Sequence, residues 1–418
     1  MKTRMVQSMR WLLLLSVFFG FTPVLAQESS VDYITISGVV KDKQNRNSLE
    51  NVNISVPGSN IGTVTNADGE FILKIKDGAR AKSVEFSHIG YFNNNFQLKG
   101  NHLSNLKIQM SPSANMLHEV VVMPEDPRLI VEAAIRKIPM NYSGQNCLLT
   151  GFYREMTQKG RHYINISEAV ADIYKTPYKG SVYKDRVRIL KGRRLLSEKR
   201  GDTLTVKLMG GPVMAVYLDV AKNSDFLFDK NDLLFYDFQM ESSVYQDKAL
   251  QYVISFRPHI NSPIPYTGTL YIDKDRLSFT RAVIYLDMND KEKVTKLILK
   301  KKPVRLRFKP LKLAYLITYK NQGGVTYLNY VRNDLRFKCS WKKKLFSTTY
   351  NITSEMVVTN RQEGQVDVIP RKESFKMNDI FSDKVDNFEN DDFWGAYNII
   401  QPTESLEHAV DKLKKQRK

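Results

Sequence analysis

The feature that most constrains this chain is an alternation of apolar and polar residues with a period of two, sustained in blocks from about residue 34 to about residue 358. Only an extended strand sends every second side chain to the same side, so the pattern commits the chain to half-buried strands. In the first block Ile34, Ile36, Gly38 and Val40 share a face, followed by Val52, Ile54 and Val56, and then by Phe71, Leu73 and Ile75. The alternates Asn51, Asn53, Ser55, Lys74 and Lys76 suit water, and Asn66-Ala67-Asp68-Gly69 has the chemistry of a tight turn. Strands this short and this closely spaced predict a small β-sandwich over residues 27–110. Asp68-Gly69-Glu70 is read as that turn and not as a calcium loop, because the further oxygen ligands such a loop needs are missing. His88, beside Phe86 and Ile89 in a strand-like run, is read as a structural histidine.

Residues 111–140 read as a linker followed by a helix. Ser111-Pro112-Ser113-Ala114-Asn115 is linker-like, Asp126 can cap a helix with Pro127 at its first position, and Ile130, Ala133, Ala134 and Ile138 fall at helical spacing. Alternation then resumes over residues 141–375. Leu335, Phe337, Cys339 and Trp341 alternate with Arg336, Lys338, Ser340 and Lys342, and Val304, Leu306 and Phe308 with Arg305, Arg307 and Lys309. Tyr252, Ile254 and Phe256, then Leu270 and Ile272, continue the series, which predicts a large antiparallel sheet with one wet face. One helix is expected within 209–221, where Met214, Leu218 and Ala221 share a side, and it would cover that sheet. Residues 376–418 read as an acidic segment and a short basic helix capped by Thr403, with Leu406, Val410 and Leu413 on its docking face. The fold class expected is therefore mostly β: an N-terminal sandwich and a larger curved antiparallel sheet or half-barrel with a few helices.

The first residues read as an export leader, residues 1–26. Lys2, Arg4 and Arg10 form its positive start, Trp11 to Phe21 its apolar run, and Val24 and Ala26 the small or apolar positions before a cleavage ahead of Gln27. The run is too short for a membrane-spanning helix. Neither cysteine, Cys147 nor Cys339, stands near that junction, so no lipid-bearing N-terminal cysteine is expected. In an oxidising compartment the two either pair with each other or remain buried thiols, and the spacing leaves both open. An exported or outer-membrane-associated protein meets lipid headgroups and glycans, not chromosomal nucleic acid. The formal net charge of +19 therefore points to solubility or to peripheral contact with an anionic lipid or glycan. The charge is also unevenly placed: residues 291–312 hold ten basic residues against one acidic, and 379–392 hold six acidic against one basic. The two stretches could neutralise each other within the molecule, or the basic one could face a membrane.

Several pieces of the first region carry a family likeness: Gly38-Val39-Val40-Lys41-Asp42, Leu49-Glu50-Asn51-Val52-Asn53-Ile54, Gly62-Thr63-Val64-Thr65-Asn66, Asp68-Gly69-Glu70-Phe71 and Ile89-Gly90-Tyr91. In this order they resemble the carboxypeptidase regulatory-like domain. The resemblance implies a prealbumin-like β-sandwich, a non-catalytic module found on secreted peptidases and at the N-termini of TonB-dependent transporters. Further on, Tyr266-Thr267-Gly268-Thr269-Leu270-Tyr271-Ile272-Asp273 resembles one strand of the lipoprotein-carrier half-barrels, which implies a concave apolar face able to hold an acyl chain or an apolar peptide. A sheet closed by its own side chains is the plainer reading. The whole arrangement is similar to exported proteins that join a regulatory-like sandwich to a β-rich region with Gly151-Phe152-Tyr153-Arg154-Glu155, Ser167-Glu168-Ala169 and Asp392-Phe393-Trp394-Gly395.

No arrangement that catalysis would require stands out. There is no H-E-x-x-H, no G-x-S-x-G, no phosphate-binding glycine loop and no dinucleotide fingerprint, and the six histidines are scattered. His118 and Glu119 are adjacent, which a loop explains as well as a ligand pair does. No metal and no cofactor are expected. The expectation is a non-enzymatic envelope protein that binds an apolar or peptide ligand or scaffolds other envelope proteins. The alternative is a secreted hydrolase of peptides or glycans using Glu155 and Glu168, which lie on neighbouring strands, as paired carboxylates.

Overall fold

The computed structural model describes residues 33–76, 81–100, 102–113, 126–204, 206–208, 210–227, 232–246, 249–259, 266–288, 291–342, 346–387 and 393–416. The expected leader with its Ala26–Gln27 cleavage point, and the His118–Glu119 pair, lie outside them.

The first seven strands form two facing sheets. β1 (Tyr33–Asp42), β4 (Glu70–Lys76) and β7 (His102–Met110) make one, in the order β4-β1-β7; β2 (Asn53–Ser55), β3 (Gly62–Val64), β5 (Ser83–Ser87) and β6 (Asn94–Gln97) make the other, in the order β3-β2-β5-β6. The apolar alternates meet between them: Ile36, Val40, Val52, Ile54, Phe71 and Leu73 are all buried, and Phe71 meets Phe86 edge-on at 5.3 Å between ring centres. Gly38 is required where β1 runs parallel to β7, because a Cβ there would lie 2.2 Å from the Leu106 carbonyl oxygen. The Asp-Gly segment is the tight turn expected of it. Asn66 Oδ1 accepts from the amides of Asp68 (3.0 Å) and Glu70 (2.8 Å), and Gly69 takes φ +76°.

The rest of the chain builds one open, curved sheet of eleven strands. Its members are β8 (Cys147–Lys159), β9 (His162–Lys175), β10 (Arg186–Leu196), β12 (Tyr236–Gln246), β13 (Ala249–Pro258), β14 (Tyr266–Asp273), β15 (Phe279–Leu286), β17 (Leu306–Gln322), β18 (Val325–Trp341), β19 (Ser347–Glu363) and β20 (Asp386–Asn387). The order is β12-β13-β14-β15-β17-β18-β19-β8-β9-β10-β20, antiparallel throughout except for the short β10–β20 pairing. The strands chosen by alternation all pair here, and β14 coincides with the half-barrel-like segment. β11 (Lys207–Leu208) and β16 (Leu299–Lys301) form a separate two-stranded ribbon.

Three helices close the inner face and a fourth docks on the outer one. α1 (Pro127–Asn141) starts as expected, with the Asp126 side chain accepting from the Arg128 amide and Pro127 in the first turn. α2 (Pro212–Tyr217) is shorter than the helix expected within 209–221. Gly211 at φ +85° abuts the Phe375 ring and sets its start, and residues 218–227 continue in turns. α3 (Lys291–Ile298) leads into β16. α4 (Glu404–Gln416) docks through Leu406 and Leu413 onto Ile166 and Leu195. Its first turn is capped twice, Thr403 Oγ1 accepting from Leu406 N at 3.3 Å and Asp68 Oδ2, from the sandwich turn, accepting from Glu404 N at 3.0 Å.

Two expectations are corrected and one open question is decided. Val304 precedes β17 and is 87% exposed, so it does not join the apolar face. The second face of the large sheet is not simply wet: residues 393–402 and the sandwich lie on part of it, burying Phe152, Val170, Tyr330 and Val357 together with Val64, Trp394 and Ile400. Cys147 and Cys339 are both buried and unpaired, so of the two readings the free thiols hold.

Candidate functional site

Alternation places a continuous apolar wall on the inner face of the curved sheet. Ile254, Leu270, Ile317, Val331, Phe337 and Met356, from five different strands, are each at most 1% exposed. What covers them is helical and thin: Ile130, Val131 and Ala134 of α1, Val213 and Val216 of α2, Leu218 to Leu227 in turns, and Val294 and Ile298 of α3. Each such side chain contributes roughly 1.5–3 kcal/mol by leaving water, which holds most of the cover down.

The two carboxylates of the hydrolase alternative do not converge. In the β8–β9 register Arg154 stands opposite Glu168 and Glu155 opposite Ser167, so Glu155 and Glu168 project from opposite faces of the sheet. A paired-carboxylate mechanism needs both groups on one cleft, and that pairing is ruled out by the register.

Each carboxylate has its own environment. Glu155, on the inner face, accepts from Tyr153 Oη at 3.0 Å and from the Gly211 amide, and forms no salt bridge with a described cation. Burial pushes its carboxyl above the ordinary range, only partly offset by those two donors. An acid raised in this way stabilises the fold when protonated, and that contribution fades as pH rises through the raised value. Glu155→Gln is therefore expected to melt higher than the parent at pH 7, with the difference shrinking toward acid pH in a thermal melt series.

Glu168, on the outer face, sits in a four-strand charge network. Its two oxygens take Arg154 Nε at 2.7 Å and Arg193 Nε at 2.9 Å, and Arg154 also donates to Glu355 at 3.1 Å and to the carbonyl of Ile400 at 2.8 Å. Tyr330 Oη reaches Glu355 at 3.2 Å, and the Arg193 guanidinium lies over the Trp394 ring at 4.9 Å. Burial alone would raise the Glu168 carboxyl, but Arg154 and Arg193 outweigh it and hold it below the ordinary range. The charged members of the network are paired inside the protein, and through Ile400 and Trp394 it fastens residues 393–402 to the sheet. The fastening continues outward through Thr63 to the Ile399 carbonyl (3.0 Å), Lys74 N to Asn398 (2.7 Å), Asn60 to the Arg361 carbonyl (2.7 Å), and the Arg332–Glu50 ion pair.

A second buried cluster lies under the cover. Asp219, 0% exposed, accepts from Lys175 Nζ (2.7 Å), Tyr178 Oη (2.9 Å) and Tyr319 Oη (2.8 Å); Asp185 takes Lys222 Nζ at 2.6 Å and Lys175 at 3.4 Å. Burial, and then Asp219, keeps Tyr178 and Tyr319 well above the ordinary tyrosine range, so both act as donors. Sequence reading missed this cluster. Its one visible signal is a lone acid in an apolar run, Val216-Tyr217-Leu218-Asp219-Val220-Ala221.

A cleft of about 210 Å³ between the sandwich and the outer face is lined by amides and hydroxyls, Asn53, Ser87, Gln251 and Asn329 among them. Its charges balance, Arg281 and Lys320 against Glu85 and Asp273. His88 borders it and packs edge-on against Tyr91 at 5.2 Å; burial and then Arg281 push the imidazole down to about 4, so it is neutral. Among the described residues no group of three or more His, Cys, Asp or Glu side chains is placed to hold a metal ion.

The N-terminal strands and the open sheet define the class: a β-sandwich fixed to the outside of a curved, open, almost wholly antiparallel sheet. Residues 36–122 match the CarboxypepD_reg-like domain family. No curated protein matches the chain. Among solved structures, the chain is similar to a DUF1329 family protein from Desulfovibrio piger (12% identity, TM-score 0.23, 56% of this chain and 94% of that one). It is similar as well to a putative outer membrane lipoprotein-sorting protein domain from Vibrio parahaemolyticus (8%, 0.24, 57% and 92%). A LolA superfamily protein from Nitrosomonas europaea aligns at 12% identity and a TM-score of 0.20, over 60% of this chain and 98% of that one. Scores this low decide nothing about the fold, which rests on the strand pairing above.

Proposed function

We propose that this is a non-enzymatic protein of the cell envelope, exported by its leader, that binds an apolar group, an acyl chain or an apolar peptide segment, against the inner wall of the curved sheet. The observation that carries the reading is the mismatch between wall and cover: five strands present a continuous apolar surface, and the helices packed on it are short, of fifteen, six and eight residues. Fastened by polar contacts at the Asp219 cluster and by apolar side chains along the rest of its length, such a cover can yield there to another apolar surface. The sandwich, locked to the outer face, then serves as a fixed module for holding other envelope proteins.

The test is native mass spectrometry of the full chain purified without detergent, joined to titration with a fluorescent fatty-acid analogue. A mass excess lost on denaturation, or saturable binding of one probe per chain, is the expected result. A bare mass together with no saturable binding would overturn ligand binding and leave a second reading, a pure scaffold, which the near-complete burial of the inner wall favours.

A further inference from the structure

The charge asymmetry of the sequence becomes a surface at one end of the β17–β18–β19 ribbon. Lys302, Arg305, Arg307, Lys309, Lys338 and Lys342 are all exposed there, and none forms a salt bridge with a described carboxylate. The strand register makes the arrangement unfavourable for the isolated protein: Lys309 stands directly opposite Lys338, and Lys312 directly opposite Arg336. Like charges placed across from each other destabilise a sheet. Among the described residues of the acidic stretch, none relieves them. Of its described members Asp379 pairs with Lys384 and Asp383 approaches Arg194, while Lys300 donates to the Met377 carbonyl.

The same end exposes apolar side chains. Val304 and Phe346 are each 87% exposed and Trp341 is 38% exposed. They are neighbours: Trp341 pairs with Leu306, Lys342 N donates to the Arg305 carbonyl, and Phe346 leads into Ser347, which pairs with Ser340. A solvated patch of charge has no use for a bare valine, phenylalanine and tryptophan at its tip, and an anionic glycan would satisfy the cations alone. A bilayer surface satisfies both, with headgroup charge for Lys and Arg and an interfacial layer for Trp and Phe.

We propose that this end of the ribbon is a peripheral membrane-docking surface, in which the Arg307, Lys309, Lys338 and Lys342 side chains meet anionic phospholipid headgroups while Val304, Trp341 and Phe346 enter the interface. It is independent of ligand binding on the inner wall.

The experiment is co-sedimentation of the full chain with vesicles of phosphatidylcholine alone and of equal parts phosphatidylcholine and phosphatidylglycerol. Binding is expected only with the anionic vesicles, weakening as salt is raised, with a blue shift of Trp341 emission. The Lys309→Gln/Lys338→Gln pair should weaken binding about thirty-fold, the equivalent of about 1 kcal/mol per charge. It should melt no lower than the parent, since it removes a repulsion, which separates lost docking from lost folding. Val304→Ser/Phe346→Ser should abolish the blue shift. Equal partition onto both vesicle types would overturn the proposal. So would full binding by the Val304/Phe346 variant together with equally tight binding to a soluble anionic polysaccharide, which would reassign the patch to glycan.

Discussion

Arg154→Ala is expected to cost about 3–5 kcal/mol of stability, the range for removing one partner of a buried ion pair. Arg154 is 1% exposed and its guanidinium serves three acceptors at once, so its loss leaves the Ile400 carbonyl without its side-chain donor, Glu355 with Tyr330 alone and Glu168 with Arg193 alone. Chemical denaturation with Trp394 fluorescence checks it, because Trp394 lies on residues 393–402 beside the network. Loss of less than about 1 kcal/mol would mean that the network is incidental to stability. The pH dependence has a definite sign. Glu168 is held below its ordinary range when folded, so its contribution is present above the unfolded value and is lost as pH falls through the folded one. The parent should lose stability on acidification, and Glu168→Gln, destabilised at neutral pH, should lose less.

Asp219→Ala is expected to cost a similar amount, about 3–5 kcal/mol, by leaving Lys175 only its longer contact to Asp185 and two tyrosine hydroxyls without their acceptor beneath the cover. The informative comparison is with Asp219→Leu/Lys175→Met, which removes both charges. If the cluster acts by pairing, the double variant recovers part of the loss in the same denaturation assay. If it unfolds more than either single variant, the cluster does more than neutralise itself. Because Asp219 sits at the end of α2 and Lys175 at the end of β9, Asp219→Ala should also loosen the cover, visible as faster amide exchange over residues 212–227.

Much of the strand layout was legible in the sequence because period two is imposed by backbone geometry, which neighbours cannot override. Ile36, Phe71, Ile254, Leu270 and Phe337 all lie on the buried side that alternation assigns to them. The helix caps at Asp126 and Thr403 and the turn at Asp68-Gly69 were legible for the same local reason. What alternation cannot report is whether the polar face is later covered. Arg154, Glu168 and Glu355 occupy polar positions that look like solvent-facing charges, and only the arrival of residues 393–402 from far along the chain turns them into an interior network. The carboxylates that adjacency on neighbouring strands suggested as partners differ by one residue in register, and one residue is enough to send them to opposite sides. Glu155 owes its raised carboxyl to burial, and the Gly211 amide that partly offsets it comes from a loop, a contact invisible to spacing.

The attachment of residues 393–402 also fixes when the molecule can become itself. β8 and β19, adjacent in the sheet, are far apart in the chain, and Arg154 finds its last acceptor only at Ile400. A polypeptide emerging from its N-terminus can assemble the sandwich early, yet must leave the half-barrel unsealed, with its ionic groups bathed in water, until that late segment is delivered. Slow maturation dominated by distant pairings follows from this layout, and a chain that stays open until nearly all of it has appeared is one that can still be threaded through a narrow passage.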